Sequence, residues 1–290
     1  MTEKRMMKPL KDLDLMDRFL FAEAMEDPVI CKNVLEIILG TEIKVLEAPQ
    51  AEKEVRTSPM LRSIRIDVYA VDEEASIYNV ESQKTNTGNL PKRSRYYQAL
   101  LDSSLLEPGV IDFNLLNDCY MIMVSPFDLF GRGLYRYTFY EQCEEVPGLR
   151  LDDGATRIFL NTRGSCGDGV DAELVELLRY IEKSDTLTEQ AGKSRRIREI
   201  HEHVLEIKSS EEIGVKYMQA WEEKVMLKEE GRLEGKAEGR AEGRAEGRAE
   251  EEARYSRLIL KLAETGKSDL IVKAASDSKL LKELYQEYEI

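Results

Sequence analysis

Between Gly231 and Glu250 the chain reads GRLE-GKAE-GRAE-GRAE-GRAE, a tetrapeptide array whose apolar residues are alanines and the single Leu233. Such a stretch has nothing to bury, so the folded parts of the protein must be built from the residues on either side of it. In an α-helix a four-residue period advances about 40° beyond one full turn, which lines Gly231, Gly235, Gly239, Gly243 and Gly247 along one slowly winding stripe. Like charges then stack at i,i+4, and each glycine costs about 0.8–1 kcal/mol relative to alanine. Alone the array is a poor helix. It reads first as a solvated linker, flexible or partly helical, and second as a self-associating stalk, the reading that carries an expectation of a homo-oligomer. The chain accordingly divides into a main domain over 1–210, a helical and repeat linker over 211–252, and a small helical tail over 253–290.

The main domain mixes two periodicities. The run LDLMDRFLFAEAMED spaces Leu15, Met16, Phe19 and Leu20 as one helical face, and a second helix is expected from Pro28 to Leu39, capped by Asp27 and closed by Gly40. From Leu61 the pattern turns to β-branched residues and tyrosine, LRSIRIDVYAV and then SIYNVESQ, which predicts a β-hairpin. A helix over Asn89–Leu106, three further strands in YMIMVSPF, LYRYTFYEQC and ATRIFLNT, and helices over Asp171–Glu182 and Ser194–Lys228 complete an α/β pattern with at least five strands.

A net charge of −14 opposes bulk coating of nucleic acid, although it leaves room for a locally basic cleft. No segment approaches the ~18–20 apolar residues of a bilayer span, and the opening residues lack a secretion-signal core, so a cytoplasmic protein without a membrane partner is expected. Cys31, Cys119, Cys143 and Cys166 show no C-x-x-C spacing, which disfavours structural zinc and a disulfide framework. His201 and His203 point about 200° apart on a helix and read as solvent-facing. With no further histidine and no G-x-S-x-G elbow, covalent serine or cysteine catalysis is disfavoured. The glycines between Gly164 and Gly169 lack the Gly-Lys-Ser/Thr ending of a phosphate loop, and the basic run Lys193–Arg198 reads as a solvent-facing helix start.

The chemistry-bearing residues are carboxylates inside apolar strands, where an ionised group is costly. Asp67 interrupts Ile64-Arg65-Ile66-Asp67-Val68-Tyr69, and Glu81 follows Tyr78-Asn79-Val80, with Gln83 on the same face as Glu81. A hairpin turn centred on Glu74 brings Asp67 opposite Glu81, about 4.5–5.5 Å between Cβ atoms. A two-residue turn at Glu73-Glu74 sends the two carboxylates to opposite faces, and the sequence leaves both registers open. Paired carboxylates repel and persist most readily around a divalent cation, Mg2+ or Mn2+, which points to Asp67 and Glu81 as metal ligands and, with Gln83, as the catalytic set for phosphodiester hydrolysis. Ser82–Leu101 holds Lys84, Lys92, Arg93 and Arg95 and no acidic residue, so Lys84 and Arg93 are the candidates to offset phosphate charge. The plain alternative is surface charge on ordinary antiparallel strands.

The stretch RIDVYAVDEEASIYNVESQ followed by LPKRSRYYQALLD resembles the core of the Rpn family of recombination-promoting nucleases and transposases, within the PD-(D/E)XK nuclease superfamily. LDLMDRFLFAEAMED, YMIMVSPFDLFGRGLYRYTF, LDDGATRIFLNTRG and the GRAEGRAEG repeat share the resemblance, which covers most of the chain. It implies a restriction-endonuclease-like mixed sheet flanked by helices, with a C-terminal helical extension, in a DNA endonuclease that uses Mg2+ or Mn2+. In its pattern Asp67 is the aspartate of the second strand and Glu81 the acidic residue of E-x-K, with Gln83 where lysine usually stands. It also implies Arg93 and Tyr97 on the following helix as nucleic-acid contacts and Asp17 on the first helix as an accessory acid. Each of these three has an ordinary structural alternative: a salt bridge, a core aromatic and a first-turn helix charge. Because of Gln83, a catalytically degenerate binding or oligomeric assembly module is the competing reading.

Overall fold

In a computed structural model, which describes residues 7–44, 48–55, 64–106, 108–165 and 169–290, the chain separates into two units, Met1–Met218 and Gln219–Ile290. The expected strand start at Leu61–Ser63, and Cys166, Gly167 and Asp168, lie outside the described residues.

The first unit is a six-stranded mixed sheet in the order β1-β2-β3-β4-β6-β5: β1 Gln50–Val55, β2 Ile64–Val71, β3 Ile77–Ser82, β4 Cys119–Ser125, β5 Arg136–Phe139 and β6 Ala155–Asn161. β2 runs antiparallel to both β1 and β3, β4 and β6 are parallel to β3, and β5 closes the far edge antiparallel to β6. Parallel neighbours need a long crossover, and helix α3 (Leu90–Leu105) supplies it between β3 and β4. β1 is the strand that the sequence reading omits. Its QAEKEV has no apolar alternation because it lies at an edge with half of its side chains exposed, where charge protects the open ladder.

Helices α1 (Arg18–Met25), α2 (Pro28–Leu39), α4 (Ala172–Glu182) and α5 (Arg195–Ser209) cover one side of the sheet. Leu20, Phe21, Leu35, Ile38, Leu177 and Ile200 pack there with Val68, Val80, Ile122 and Leu160 of the strands. On the other side Leu100 and Leu101 of α3 cover Ile64, Ile66, Tyr69, Ile77 and Met121. Asp27 caps α2 through the Val29 and Ile30 amides, and Gly40 ends it in the left-handed region at φ 72°. That backbone favours a residue without Cβ.

Three local expectations change. α1 begins at Arg18, and Asp17 is its N-cap, accepting from the Phe19 amide at 3.2 Å, so Leu15 and Met16 are buried in the approach to the helix instead of on its face. His201 does not face solvent: its ring packs edge-on against Tyr180, and Nδ1 lies 2.9 Å from the Tyr180 hydroxyl. Within the basic run Lys193, Arg195 and Arg198 face solvent as expected, Arg195 pairing with Glu199 at 2.7 Å, and only Arg196 departs from it, bonding Glu173 and reaching Glu36. Opposite charge across packed helices, at positions far apart in sequence, spends the Arg196 cation.

α6 (Glu211–Glu264) runs helical through the whole array, with residues 222–253 exposed. Helix nucleation, the costly step, is already met by the turns on either side, which lets a poor segment propagate. In the second unit Leu258 and Leu262 of α6 pack with Ala274 of α7 (Asp269–Ser276) and Leu284 and Tyr285 of α8 (Ser278–Glu287). Among the described residues no helix is long and apolar enough to cross a membrane.

Candidate active site

The β2–β3 hairpin decides whether a site exists. Asp72 and Ser76 close a loop of Glu73, Glu74 and Ala75: Asp72 N–H donates to the Ser76 carbonyl, and Asp72 Oδ1 accepts from the Glu74 and Ser76 amides at 2.9 Å each. Ala75 takes the left-handed backbone, φ 62°, that this odd-length loop requires. The ladder then pairs Val71 with Ile77 and Val68 with Val80, so the next residues, Asp67 and Glu81, face one another.

At that level side chains take over from the backbone. Glu81 Oε1 accepts the Asp67 amide at 3.1 Å, and Asp67 Oδ2 accepts the Ser82 amide at 3.0 Å. On the other flank, β1 pairs Ala51 with Val68 and Lys53 with Ile66, so Glu52 lies across from Asp67, in a left-handed backbone at φ 51°. The inside–outside alternation of β2 also changes phase here: Ile64 and Ile66 join the cluster under α3, whereas Val68 and Ala70 join the opposite one. Asp67 sits at this switch and is 3% exposed; Glu81 is 4% exposed.

Two cations flank the pair. Arg18 Nε lies 2.6 Å from Asp67 Oδ1 and 3.5 Å from Glu52 Oε1. Arg93 Nη2 lies 3.9 Å from Glu81 Oε2 and donates to Gln83 Oε1 at 2.7 Å. Burial pushes the Glu81 carboxyl up to about 8, with the neighbouring Asp67 charge adding to it. Burial also raises Asp67, against the pull of Arg18. Burial and the neighbouring charge thus favour the protonated form of Glu81, and a divalent cation would favour the ionised one.

The remaining expected residues surround this centre. Gln83 is engaged at both ends of its side-chain amide, the nitrogen donating to the Thr85 carbonyl at 2.6 Å and the carbonyl holding Arg93. Tyr97 is half-buried, with its ring centre 5.6 Å from the Arg93 guanidinium, and burial followed by the Glu81 charge raises its hydroxyl. Lys84 and Asp17 pair with one another at 3.0 Å, so Asp17 serves as cap and counter-ion. Ser82 Oγ donates to the Met16 carbonyl at 3.0 Å, tying the approach to α1 against this end of β3.

Arg18 and Glu52 are the site neighbours that sequence reasoning missed. A signal for Arg18 was present, because a cation in the first turn of a helix opposes the macrodipole and needs a partner elsewhere. Glu52 had none, since its strand went unread. Two buried carboxylates present only oxygen donors, which suits a hard cation such as Mg2+ or Mn2+. Among the described residues no group of three or more His, Cys, Asp or Glu side chains is arranged to hold an ion.

A mixed sheet flanked by helices, with aspartate on its second strand and glutamate on its third, has the restriction-endonuclease-like architecture of nucleases. The family model for PD-(D/E)XK nuclease family transposases matches residues 12–224, well over half of the chain, and the chain belongs to that family. No curated protein and no solved structure matches it. The membership supports a nuclease-type, hydrolytic function with DNA as the implied substrate, in a family whose members generally use divalent metals.

Proposed function

We propose that this protein is a divalent-metal-dependent DNA endonuclease, with Asp67 and Glu81 holding Mg2+ or Mn2+. The observation that carries the reading is the pair itself: two buried carboxylates in register on adjacent strands, each fixed by the other strand's backbone amide. A bound ion would supply an activated water and charge compensation at the phosphodiester. The protein's own residues then divide the remaining work. Glu81, which burial favours in the protonated form, would hold the ion as the ionised carboxylate. Arg93, at the end of the first turn of α3, stands beside Glu81 and supplies the cation that the E-x-Q motif lacks. Its Nε is buried with no hydrogen-bond partner among the described residues, so the guanidinium is not fully spent on the protein. Gln83 acts on Arg93, holding the guanidinium by one hydrogen bond while its own amide is pinned to Thr85. Tyr97 stands beside Arg93, its ring centre 5.6 Å from the guanidinium.

In this reading catalysis belongs to the first unit, within residues 1–210, and the array and helical tail serve as connector or assembly element. Gln83, occupied by Thr85 and Arg93, also favours a second reading, a degenerate module that binds nucleic acid or organises oligomers without cutting. Supercoiled-plasmid nicking separates the two. With Mg2+ or Mn2+ the wild type should nick and chelator should stop it, and Asp67→Ala or Glu81→Ala should each lower the rate to background. Folded wild type that leaves plasmid intact in either metal points to the second reading, and cleavage surviving both substitutions places the activity elsewhere.

A further inference from the structure

Arg18 is the least expected member of the site. As the first residue of α1, it carries positive charge where the helix dipole disfavours it. The approach to that helix is firmly set: the Leu15 amide donates to Ser184 Oγ at 2.9 Å, and the Met16 amide to the Ile181 carbonyl at 3.0 Å. From this anchor the guanidinium reaches Asp67 Oδ1 at 2.6 Å, with Glu52 Oε1 as a second acceptor at 3.5 Å. The carboxylate is buried, whereas the arginine side chain is 45% exposed. The contact thus joins a dry ligand oxygen to a cation that solvent and polyanions can reach.

Resting on the metal-dependent reading above, we propose that Arg18 is a positioning residue, a latch that occupies Asp67 in the free protein and yields it when a phosphodiester arrives. A divalent ion needs oxygens at about 2.0–2.1 Å, and a guanidinium already on Oδ1 opposes its approach by contact and by like charge. A phosphate is a better partner for the planar fork of arginine than one already-shared carboxylate oxygen, since it accepts two parallel N–H bonds. Entry of DNA therefore frees the ligand that the ion requires. Nucleic acid and metal then bind cooperatively, and the free protein loads metal poorly.

The test measures Mn2+ affinity of the full-length protein by electron paramagnetic resonance of the free ion, with and without a short DNA duplex checked intact afterwards. Wild type should bind Mn2+ weakly alone and about tenfold or more tightly with duplex, within the usual range of coupling between two sites. Arg18→Gln should bind Mn2+ about tenfold tighter than wild type without duplex and gain little from adding it. Arg18→Lys keeps the charge without the fork, so its duplex-free affinity should stay near wild type while the duplex effect shrinks; it also serves if the glutamine variant fails to fold. Wild type that binds Mn2+, with duplex tightening it equally in all three proteins, overturns the latch and leaves the metal site standing. Folded wild type that binds no Mn2+ even with duplex overturns the metal reading and the latch with it.

Discussion

Burying Glu81 beside Asp67 links the stability of the metal-free protein to pH. The folded-state carboxyl is raised from 4.5 to about 8, so across that interval the folded chain holds a proton that the unfolded chain has released. Stability is then fully present below 4.5 and lost as pH rises through 8. Melting temperatures taken between pH 5 and pH 9 in chelator should fall for wild type, and Glu81→Gln should remove most of that slope. An unchanged slope in the variant would assign the effect to other groups. The two polar residues after the pair should differ in weight. Arg93→Ala should lower nicking about 10²–10³-fold, as loss of a group that stabilises developing charge does, with partial recovery in Arg93→Lys. Gln83→Ala should cost only about tenfold, because it loosens Arg93 without removing its charge. A larger loss for the glutamine would give Gln83 a direct catalytic role.

Among the elements, helix ends and tight crossings set local stability. Asp27 satisfies two amides at the start of α2, at 2.8 and 3.1 Å, so Asp27→Ala should cost about 1 kcal/mol in urea unfolding without altering the site. Gly164 lies where a Cβ would come within 2.5 Å of Tyr135 Cγ and 2.8 Å of the Tyr135 backbone nitrogen. Gly164→Ala should therefore destabilise by about 1–3 kcal/mol, and a neutral result would mean that the β5 approach shifts freely. The strands were legible to the extent that they are buried. β2, β3, β4 and β6 announce themselves by β-branched and apolar runs, whereas β1 consists largely of charged residues and is held by its register against β2. The phase change at Asp67 was not legible, because adjacent buried residues on opposite faces leave the same apolar string as an ordinary central strand.

For the whole molecule, the array sets the contrast between the two kinds of helix in the chain. α4 and α5 pack against the sheet with residues such as Leu177 and Ile200 fully buried, while residues 222–253 of α6 bury nothing. Hydrogen exchange should consequently be slow in α4 and α5 and fast across Gly231–Glu250, since opening of the array exposes no apolar surface. Replacing Gly235, Gly239 and Gly243 by alanine should slow that exchange, each exchange of residue favouring the helix by about 0.8–1 kcal/mol. Protection of the array equal to that of α5 in the wild type would instead show that a partner covers it.

The sequence by itself determined the element types, the separation of a foldable main domain from an array with nothing to bury, and the presence of two carboxylates in strands that have no ordinary use for them. These follow from local periodicity and from the cost of burying charge, which a single chain segment already displays. Only the tertiary structure decided that Asp67 and Glu81 meet. The turn at Glu73-Glu74-Ala75 had two registers of similar local cost, and the difference between them is paid in long-range packing of both sheet faces. It alone also brought Arg18 and Glu52 to Asp67 and turned Lys84 toward Asp17, because ion pairs between residues distant in sequence arise from the packing of helices on strands, and no spacing along the chain encodes them.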